Sequence, residues 1–362
     1  MILDYVIQQL SLDDQPKIWL DVCAAPGGKT GILAKHMNAS DVLVANEVVP
    51  QRRSVLRENL YKAGFLNTFI TGEQASAFNE PFADIILVDA PCAGEGMMRK
   101  EPVAIRQWSP ELVRNCSMMQ QKIVTDTVKA LNVNGYLIYS TCSYSNEENL
   151  ENVKRFVESF SLTSISLQFP HEWGIKHLES NGISGYQLFP HKVKGEGIFI
   201  SVLKREGNKS QSAWTKKILS HFITLPDWLK RNVKNADGLL TQRNKMHYPL
   251  IKTEAEEKAN IIIQRFQRVE LLGEAGELKG RDFIPSHYLA MAGLSSGFKM
   301  IELGLDHCLD YLERDIKTLP PNTVEGWYLI SFEGTIIGWA KKTNQGWKNH
   351  YPLHWRLRSR KT

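Results

Sequence analysis

The stretch Ile18-Trp19-Leu20-Asp21-Val22-Cys23-Ala24-Ala25-Pro26-Gly27-Gly28-Lys29-Thr30 decides the fold. Its first five residues form an apolar run that reads as a short buried strand. Adjacent glycines make a tight turn, and Thr30 to Met37 reads as the helix that follows. Glycine lets the backbone approach a ligand closely, and a helix N-terminus turns free N–H groups toward an anion or carboxylate. Three readings of the turn compete. A P-loop requires Gly-x4-Gly-Lys-Thr, but Cys23 stands where its first glycine belongs. A dinucleotide fingerprint requires Gly-x-Gly-x-x-Gly, which these letters do not spell. A structural turn with no ligand is the third.

Working outward, strands and helices alternate. Val42 to Ala45 is a second buried strand, and Pro50 to Ala63 an amphipathic helix with Val55, Leu56 and Leu60 on one face. Phe69-Ile70 is a weaker third strand. Ile85 to Val88 is a fourth, apolar throughout as central parallel strands are. Ser109 as N-cap and Pro110 at the first position open a long helix to Leu131, which Asn134-Gly135 ends. Tyr136 to Tyr139 is the fifth strand. Ser145-Asn146-Glu147-Glu148 has capping-box spacing and starts a helix to about Phe160. Tyr186 to Phe189 and Ile198 to Val202 read as a terminal antiparallel pair. The order predicts an α/β fold, a doubly wound and mostly parallel sheet with ligands at the carboxyl ends of its strands.

Glu47 ends the second strand, about 20 residues past the turn, where an acid suits ribose hydroxyls. The plainer reading is a capping or solvated glutamate. Together, turn and acid favour a ribose-bearing cofactor with no pyrophosphate to cradle, and S-adenosyl-L-methionine fits that description.

Two further strand ends carry thiols. Strand four runs into Asp89-Ala90-Pro91-Cys92-Ala93-Gly94-Glu95-Gly96, and strand five into Ser140-Thr141-Cys142-Ser143-Tyr144-Ser145. In a parallel sheet both ends face the crevice of the glycine turn. A buried cysteine is usually inert core, but these two lie past the apolar runs. Cys142 also precedes a helix N-terminus, whose dipole lowers a thiol pKa. Cys116 and Cys308 lack these features and read as structural.

The chain has 362 residues and a mass of 41.2 kDa, enough for two or three domains. With 43% hydrophobic and 23% charged residues it can bury a core, which excludes disorder and coiled coil as global readings. No stretch approaches the ~20 apolar residues of a membrane span. Met1 to Leu10 carries Asp4 and no basic start, unlike a secretory signal. Five widely spaced cysteines read as thiols of a cytoplasmic protein, not as a disulfide framework or zinc cluster.

Charge divides the chain. Residues 1–206 hold 20 Lys+Arg against 23 Asp+Glu, and residues 207–362 hold 24 against 16. A basic second half suggests contact with a polyanion. Gly207 to Lys217 is polar and reads as a linker. Residues 218–300 are mixed, with one helix pattern from Thr253 to Leu272, and short β-like runs follow from Thr323. There Trp327, Trp339, Trp347 and Trp355 fall among Lys341, Lys342, Lys348, Arg356, Arg358, Arg360 and Lys361. The cations suit phosphates, while the tryptophans either stack on bases or fill a small core. His350 and His354 lack further ligands nearby, so no metal is expected.

Asp-x-Cys-Ala-Ala-Pro-Gly-Gly-Lys-Thr, Asp-Ala-Pro-Cys and Thr-Cys-Ser-Tyr, in this order, resemble the RNA 5-methylcytosine methyltransferases of the Nop2/Sun (Fmu) family, nearest its bacterial 16S rRNA branch. The resemblance covers about residues 1–205, including Gly185 to Gly197, and the tail from about 300 resembles that branch's PUA-like RNA-binding module. It implies a Rossmann-like class I S-adenosylmethionine methyltransferase domain over 1–206, a linker and mixed helical segment over 207–299, and a small β-rich PUA-like domain over 300–362. It also implies that a family N-terminal RNA-binding subdomain is missing before Met1.

The implied activity is methyl transfer to C5 of a cytosine in RNA, expected to be 16S ribosomal RNA, through a covalent bond from cysteine to C6. The implied roles are Cys142 as nucleophile, Cys92 as the cysteine that assists product release, and Asp89 as the hydrogen-bond partner of the cytosine ring. Cys23, Ala24, Ala25, Pro26, Gly27, Gly28, Lys29, Glu47 and Asp89 would hold the cofactor. The implied partners are ribosomal RNA or the small ribosomal subunit, with no membrane and no metal. Where the family places an Asp after the third strand, this chain has Thr71-Gly72-Glu73-Gln74, so Thr71 or Gln74 takes that place. The rival functions are a tRNA cytosine-C5 methyltransferase, a non-catalytic RNA-binding protein, and a P-loop ATPase in which Ile85 to Asp89 imitates a Walker B strand.

Overall fold

The computed structural model describes residues 2–193, 195–207, 222–242, 247–280, 282–295, 297–315, 319 and 324–358. The linker reading beyond Gly207, Thr323, Arg360 and Lys361 fall outside them. Contacts divide the chain into two compact units: Met1–Leu56, Phe69–Ile218 and Ile261–Glu270 form one, and Arg57–Thr68, Leu219–Asn260 and Leu271–Thr362 the other.

The first unit follows the alternating order read from the sequence: α1 (Ile2–Gln8), β1 (Ile18–Asp21), α2 (Gly28–Lys35), β2 (Val42–Asn46), α3 (Pro50–Ala63), β3 (Thr68–Thr71), β4 (Ala83–Asp89), α4 (Pro102–Gln107), α5 (Pro110–Thr127), β5 (Leu131–Thr141), α6 (Leu150–Ser159), β6 (Leu162–Ser164), β7 (Lys176–Ser180), β8 (Ile183–Leu188) and β9 (Ile198–Arg205). The sheet runs β3-β2-β1-β4-β5-β9-β8-β7. β1 pairs in parallel with β2 and β4, and β4 with β5, while β9 closes on β5 antiparallel. Strand order therefore reverses between β1 and β4, the switch point outside which such sheets bind ligands. Ile85, Ile86, Leu87 and Val88 have no solvent exposure. Leu3, Val6 and Ile7 of α1 pack on the same core as Trp19, Leu43 and Ile138.

Several local expectations differ from the structure. Val55 is 49% exposed, and only Leu56 and Leu60 of its trio are buried. Ser109 does cap α5, accepting from the Leu112 amide. That helix ends at Thr127 in a 3-10 turn, short of Leu131, and Asn134-Gly135 lies inside β5 with Asn134 at φ 66°. The expected capping box does not form: α6 starts at Leu150 after Asn149, and Glu148 is turned into the interior.

In the second unit, β10 (Phe222–Thr224), β11 (Leu239–Gln242), β12 (His247–Lys252), β13 (Glu274–Lys279) and β14 (Asp282–Pro285) form a five-stranded antiparallel sheet. The mixed stretch of the sequence thus holds mainly strands, and its helix covers only Glu256–Arg265. A second sheet, β15 (Lys299–Leu303), β16 (Gly326–Phe332), β17 (Thr335–Thr343) and β18 (Gly346–Asn349), occupies the tail. Trp339 is buried in the core, its indole donating to the Ser286 carbonyl at 2.7 Å. Trp327 and Trp347 are half-buried under Lys341 and Lys342, whose Nζ atoms lie 5.3 and 5.7 Å from the ring centroids. Of the two tryptophan readings, core filling therefore holds for Trp339. No helix among the described residues is long and apolar enough to cross a membrane.

Candidate active site

The glycine turn is fixed by short-range bonds. Gly27 caps α2 at φ 110°, a left-handed angle that favours glycine. The buried Asp21 carboxylate accepts from the Thr30 hydroxyl at 2.7 Å, and burial pushes its pKa up to about 7. The Ala24 amide donates to the Asn46 carbonyl, and the Asn46 side chain bonds both Val22 and Glu73, tying three strand ends together.

Outside these strand ends lies a cavity of about 530 Å³. Cys23, Ala25, Glu47, Asp89, Cys92 and Cys142 all line it. Ala24, Pro26, Gly27, Gly28 and Lys29 shape the turn beside it. Glu47 is 2% exposed, and its Oε1 accepts from the Val49 amide at 2.9 Å. Its Oε2 has no hydrogen-bond partner and lies 3.4 Å from the Arg52 guanidinium. An orphaned buried carboxylate oxygen on a cavity wall fits the hydroxyls of a ribose. A Cβ on Gly28 would meet nothing within 4 Å, so the turn leaves open space for a ligand. The residues present therefore suit S-adenosylmethionine. Gln74 lines the cavity, whereas Thr71 is 1% exposed and does not.

At the other end, Cys92 Sγ and Cys142 Sγ lie 2.7 Å apart. Asp89 stands between the halves: Oδ2 accepts from Lys29 Nζ at 2.8 Å, and Oδ1 from the Ser140 hydroxyl at 3.1 Å. Of the five cysteines, only Cys142 has its pKa drawn down. The Cys92 hydrogen bond is the main cause, with Lys29 helping against burial and Asp89. The cause expected from the sequence was a helix dipole, but α6 begins eight residues beyond Cys142, too far for an effect confined to the first turn. Cys92 is pushed far up, chiefly by its bond to Cys142 and then by burial, so it stays a thiol that donates. Burial also raises Cys23 far above the ordinary range, Cys116 to about 11, and Cys308. Cys142 is thus the thiol of the pair that ionises more readily, and Cys92 its hydrogen-bond donor.

Sequence reasoning missed two acids here. Glu95 and Glu148 bond the two thiol loops to each other. The Gly94-Glu95-Gly96 turn is the one signal of Glu95 in the sequence, and Glu148 stands there in a capping-box pattern. Among the described residues no group of three or more His, Cys, Asp or Glu side chains is placed to hold a metal ion.

A Rossmann-like sheet with a buried acid, a glycine turn and a pair of thiols in one crevice fits an S-adenosylmethionine-dependent methyltransferase. Residues 7–204 match the family described as 16S rRNA methyltransferase RsmB/F, and residues 298–357 match the methyltransferase RsmF PUA domain. Proteins named ribosomal RNA small subunit methyltransferase F are similar over 92% of this chain. The one from Shewanella woodyi is 31% identical with 72% of its own length covered, and the one from Aeromonas hydrophila 30% identical with 72% covered. The chain belongs to the RsmB/F family of 16S rRNA methyltransferases. It is an S-adenosylmethionine-dependent rRNA methyltransferase, and its paired thiols fit cytosine-C5 chemistry.

Proposed function

We propose that the protein methylates C5 of a cytosine in 16S ribosomal RNA through a covalent adduct of Cys142 with C6. The observation that carries this reading is a pair of thiols, 2.7 Å apart, on the wall of the cavity that Glu47 also lines, with one carboxylate oxygen that accepts no hydrogen bond. S-adenosylmethionine, when bound, supplies an electrophilic methyl on a positively charged sulfur. Glu47 would take its ribose hydroxyls, Cys23, Ala25 and Gln74 would bound its pocket, and the turn from Ala24 to Lys29 would receive its carboxylate end.

Cytosine C5 is a poor nucleophile. The Cys142 thiolate adds to C6, and the electron pair of the C5–C6 double bond shifts toward C5. A proton shared between N3 of the ring and Asp89, which Lys29 and Ser140 hold, stabilises the charge that develops. C5 then bonds the methyl as the methyl–sulfur bond of the donor breaks, and S-adenosylhomocysteine leaves with that electron pair. Loss of the C5 proton to water and cleavage of the S–C6 bond release 5-methylcytosine and return the electron pair to Cys142 sulfur, with Cys92 assisting this elimination.

Residues 1–206 carry the chemistry, 207–299 connect, and 300–362 grip RNA, where Lys348, Arg356 and Arg358 are exposed. The partner is 16S rRNA or the small ribosomal subunit, the compartment is the cytoplasm, where thiols stay reduced, and no metal takes part. Labelled-methyl transfer followed by bisulfite sequencing tests this. A resistant cytosine in 16S rRNA is expected. Labelling of tRNA alone would reassign the substrate, and no transfer to either would leave a non-catalytic RNA-binding protein.

A further inference from the structure

The two thiols sit on loops 50 residues apart in sequence, and two carboxylates outside the cavity lining join those loops. Glu95 follows Cys92 in a short turn opened by Gly94 at φ 75°. Its Oε2 accepts from the Ser143 hydroxyl at 2.9 Å, the Ser145 amide at 3.0 Å and the Tyr144 amide. Its Oε1 accepts from the Ser145 hydroxyl at 2.9 Å and the Trp108 indole at 2.8 Å. The next amide, of Gly96, donates to the Cys142 carbonyl at 2.6 Å. A Cβ at Gly96 would stand 2.9 Å from that carbonyl oxygen and 2.5 Å from that of Gly197, so only glycine permits the approach.

Glu148 reaches the other way. It is fully buried and accepts from the Ala93 amide at 3.2 Å, beside Cys92, and from the Ser143 hydroxyl at 2.7 Å and Gln120 at 2.6 Å. Each thiol loop thus offers a carboxylate to the other, and charge-assisted bonds of this kind are roughly twice as strong as neutral ones. Burial pushes the Glu95 pKa up, but the donors from Tyr144, Ser143, Ser145 and Trp108 outweigh it and hold the group ionised.

We propose that Glu95 is a positioning residue for the methyl-transfer site: by gathering Ser143, Tyr144 and Ser145 it fixes Cys142 Sγ where the Cys92 thiol donates to it. The inference rests on the reading of Cys142 as nucleophile. Its logic is a contest of signs. The groups facing Cys142 are Cys92 and Asp89 from the end of β4, Lys29 from α2, Cys116 from α5, and Glu95 and Tyr144. As a bare negative charge Glu95 would oppose a thiolate nearby. As a clamp it secures the donor that stabilises one.

The two roles predict opposite outcomes for iodoacetamide labelling of Cys142 in the full chain without RNA, followed across pH by peptide mass spectrometry. Glu95→Ala moves the pH profile of labelling to higher pH, so that on its acid limb labelling slows about tenfold for a one-unit rise in pKa. Glu95→Gln keeps an acceptor but loses the charge and sets an amide against the Trp108 donor, so it falls between. Both retain S-adenosylhomocysteine binding, which reports an intact fold. Labelling at or above the wild-type rate in a variant that binds S-adenosylhomocysteine overturns the proposal. If Glu95→Ala fails to bind it, Glu95→Gln decides alone. Slowed labelling beside a wild-type protein that methylates no RNA would sink the proposed function and leave the positioning role standing.

Discussion

The two ends of the cavity are built by different means. On the cofactor side, Asp21 bonds Thr30 nine residues away, Gly27 adopts a left-handed angle, and backbone groups of Ala24 and Asn46 join adjacent strands. On the thiol side, the decisive contacts are side-chain carboxylates reaching across about 50 residues of sequence. The cofactor side is held by bonds within its turn and between adjacent strand ends, whereas the reactive pair is held by bonds between two separate loops. Binding and transfer should therefore separate cleanly under mutation.

The largest effect lies on the thiol side. Cys142→Ala should lower methyl transfer by ~10³-fold or more, while S-adenosylhomocysteine binding measured by calorimetry stays within about twofold. Equal loss of both would erase the contrast between the two ends. On the cofactor side, Glu47→Ala should weaken S-adenosylhomocysteine binding about 10- to 100-fold, the ~1.5–3 kcal/mol of a charged hydrogen bond. Iodoacetamide labelling of Cys142 should be unchanged by it.

A smaller shift sharpens the chemistry of the pair. The Cys142 pKa is drawn below its ordinary value, so the reactive thiolate is present above that lowered pKa and is lost as pH falls through it. Cys92→Ala removes the main cause. Its acid limb for attack on RNA should move to higher pH, with the rate of attack on that limb falling about tenfold for a one-unit shift. An unmoved limb would mean that Cys92 does not hold the thiolate.

The same difference explains what could be read from sequence. β1, β2 and β4 are apolar runs buried on both faces, and α3 lies at the bounds its amphipathic pattern implied, so the sheet and its switch point were legible. The glycine turn, Glu47 and both cysteines sit at strand ends, which places them in one crevice once the order of elements is known. Glu148 stands in a capping-box pattern, which is local, whereas its partners Ala93 and Gln120 lie 55 and 28 residues away. The antiparallel sheet between 222 and 285 was missed because its strands lack an apolar alternation: β10 has three residues, β12 contains Pro249, and β13 reads Glu-Ala-Gly-Glu-Leu-Lys. Trp339 and Trp347 look alike in sequence, and only packing separates the buried indole from the half-buried one.

The central claim, that Cys142 bonds C6 of the target cytosine, is tested most directly by incubating the Cys92→Ala protein with 16S rRNA and S-adenosylmethionine. The product is run on a denaturing gel, and the cross-linked peptide is mapped by mass spectrometry. A shifted band carrying a methylated cytidine on the Cys142 peptide is the predicted result. No shifted band, or a nucleotide attached to any other residue, would contradict it.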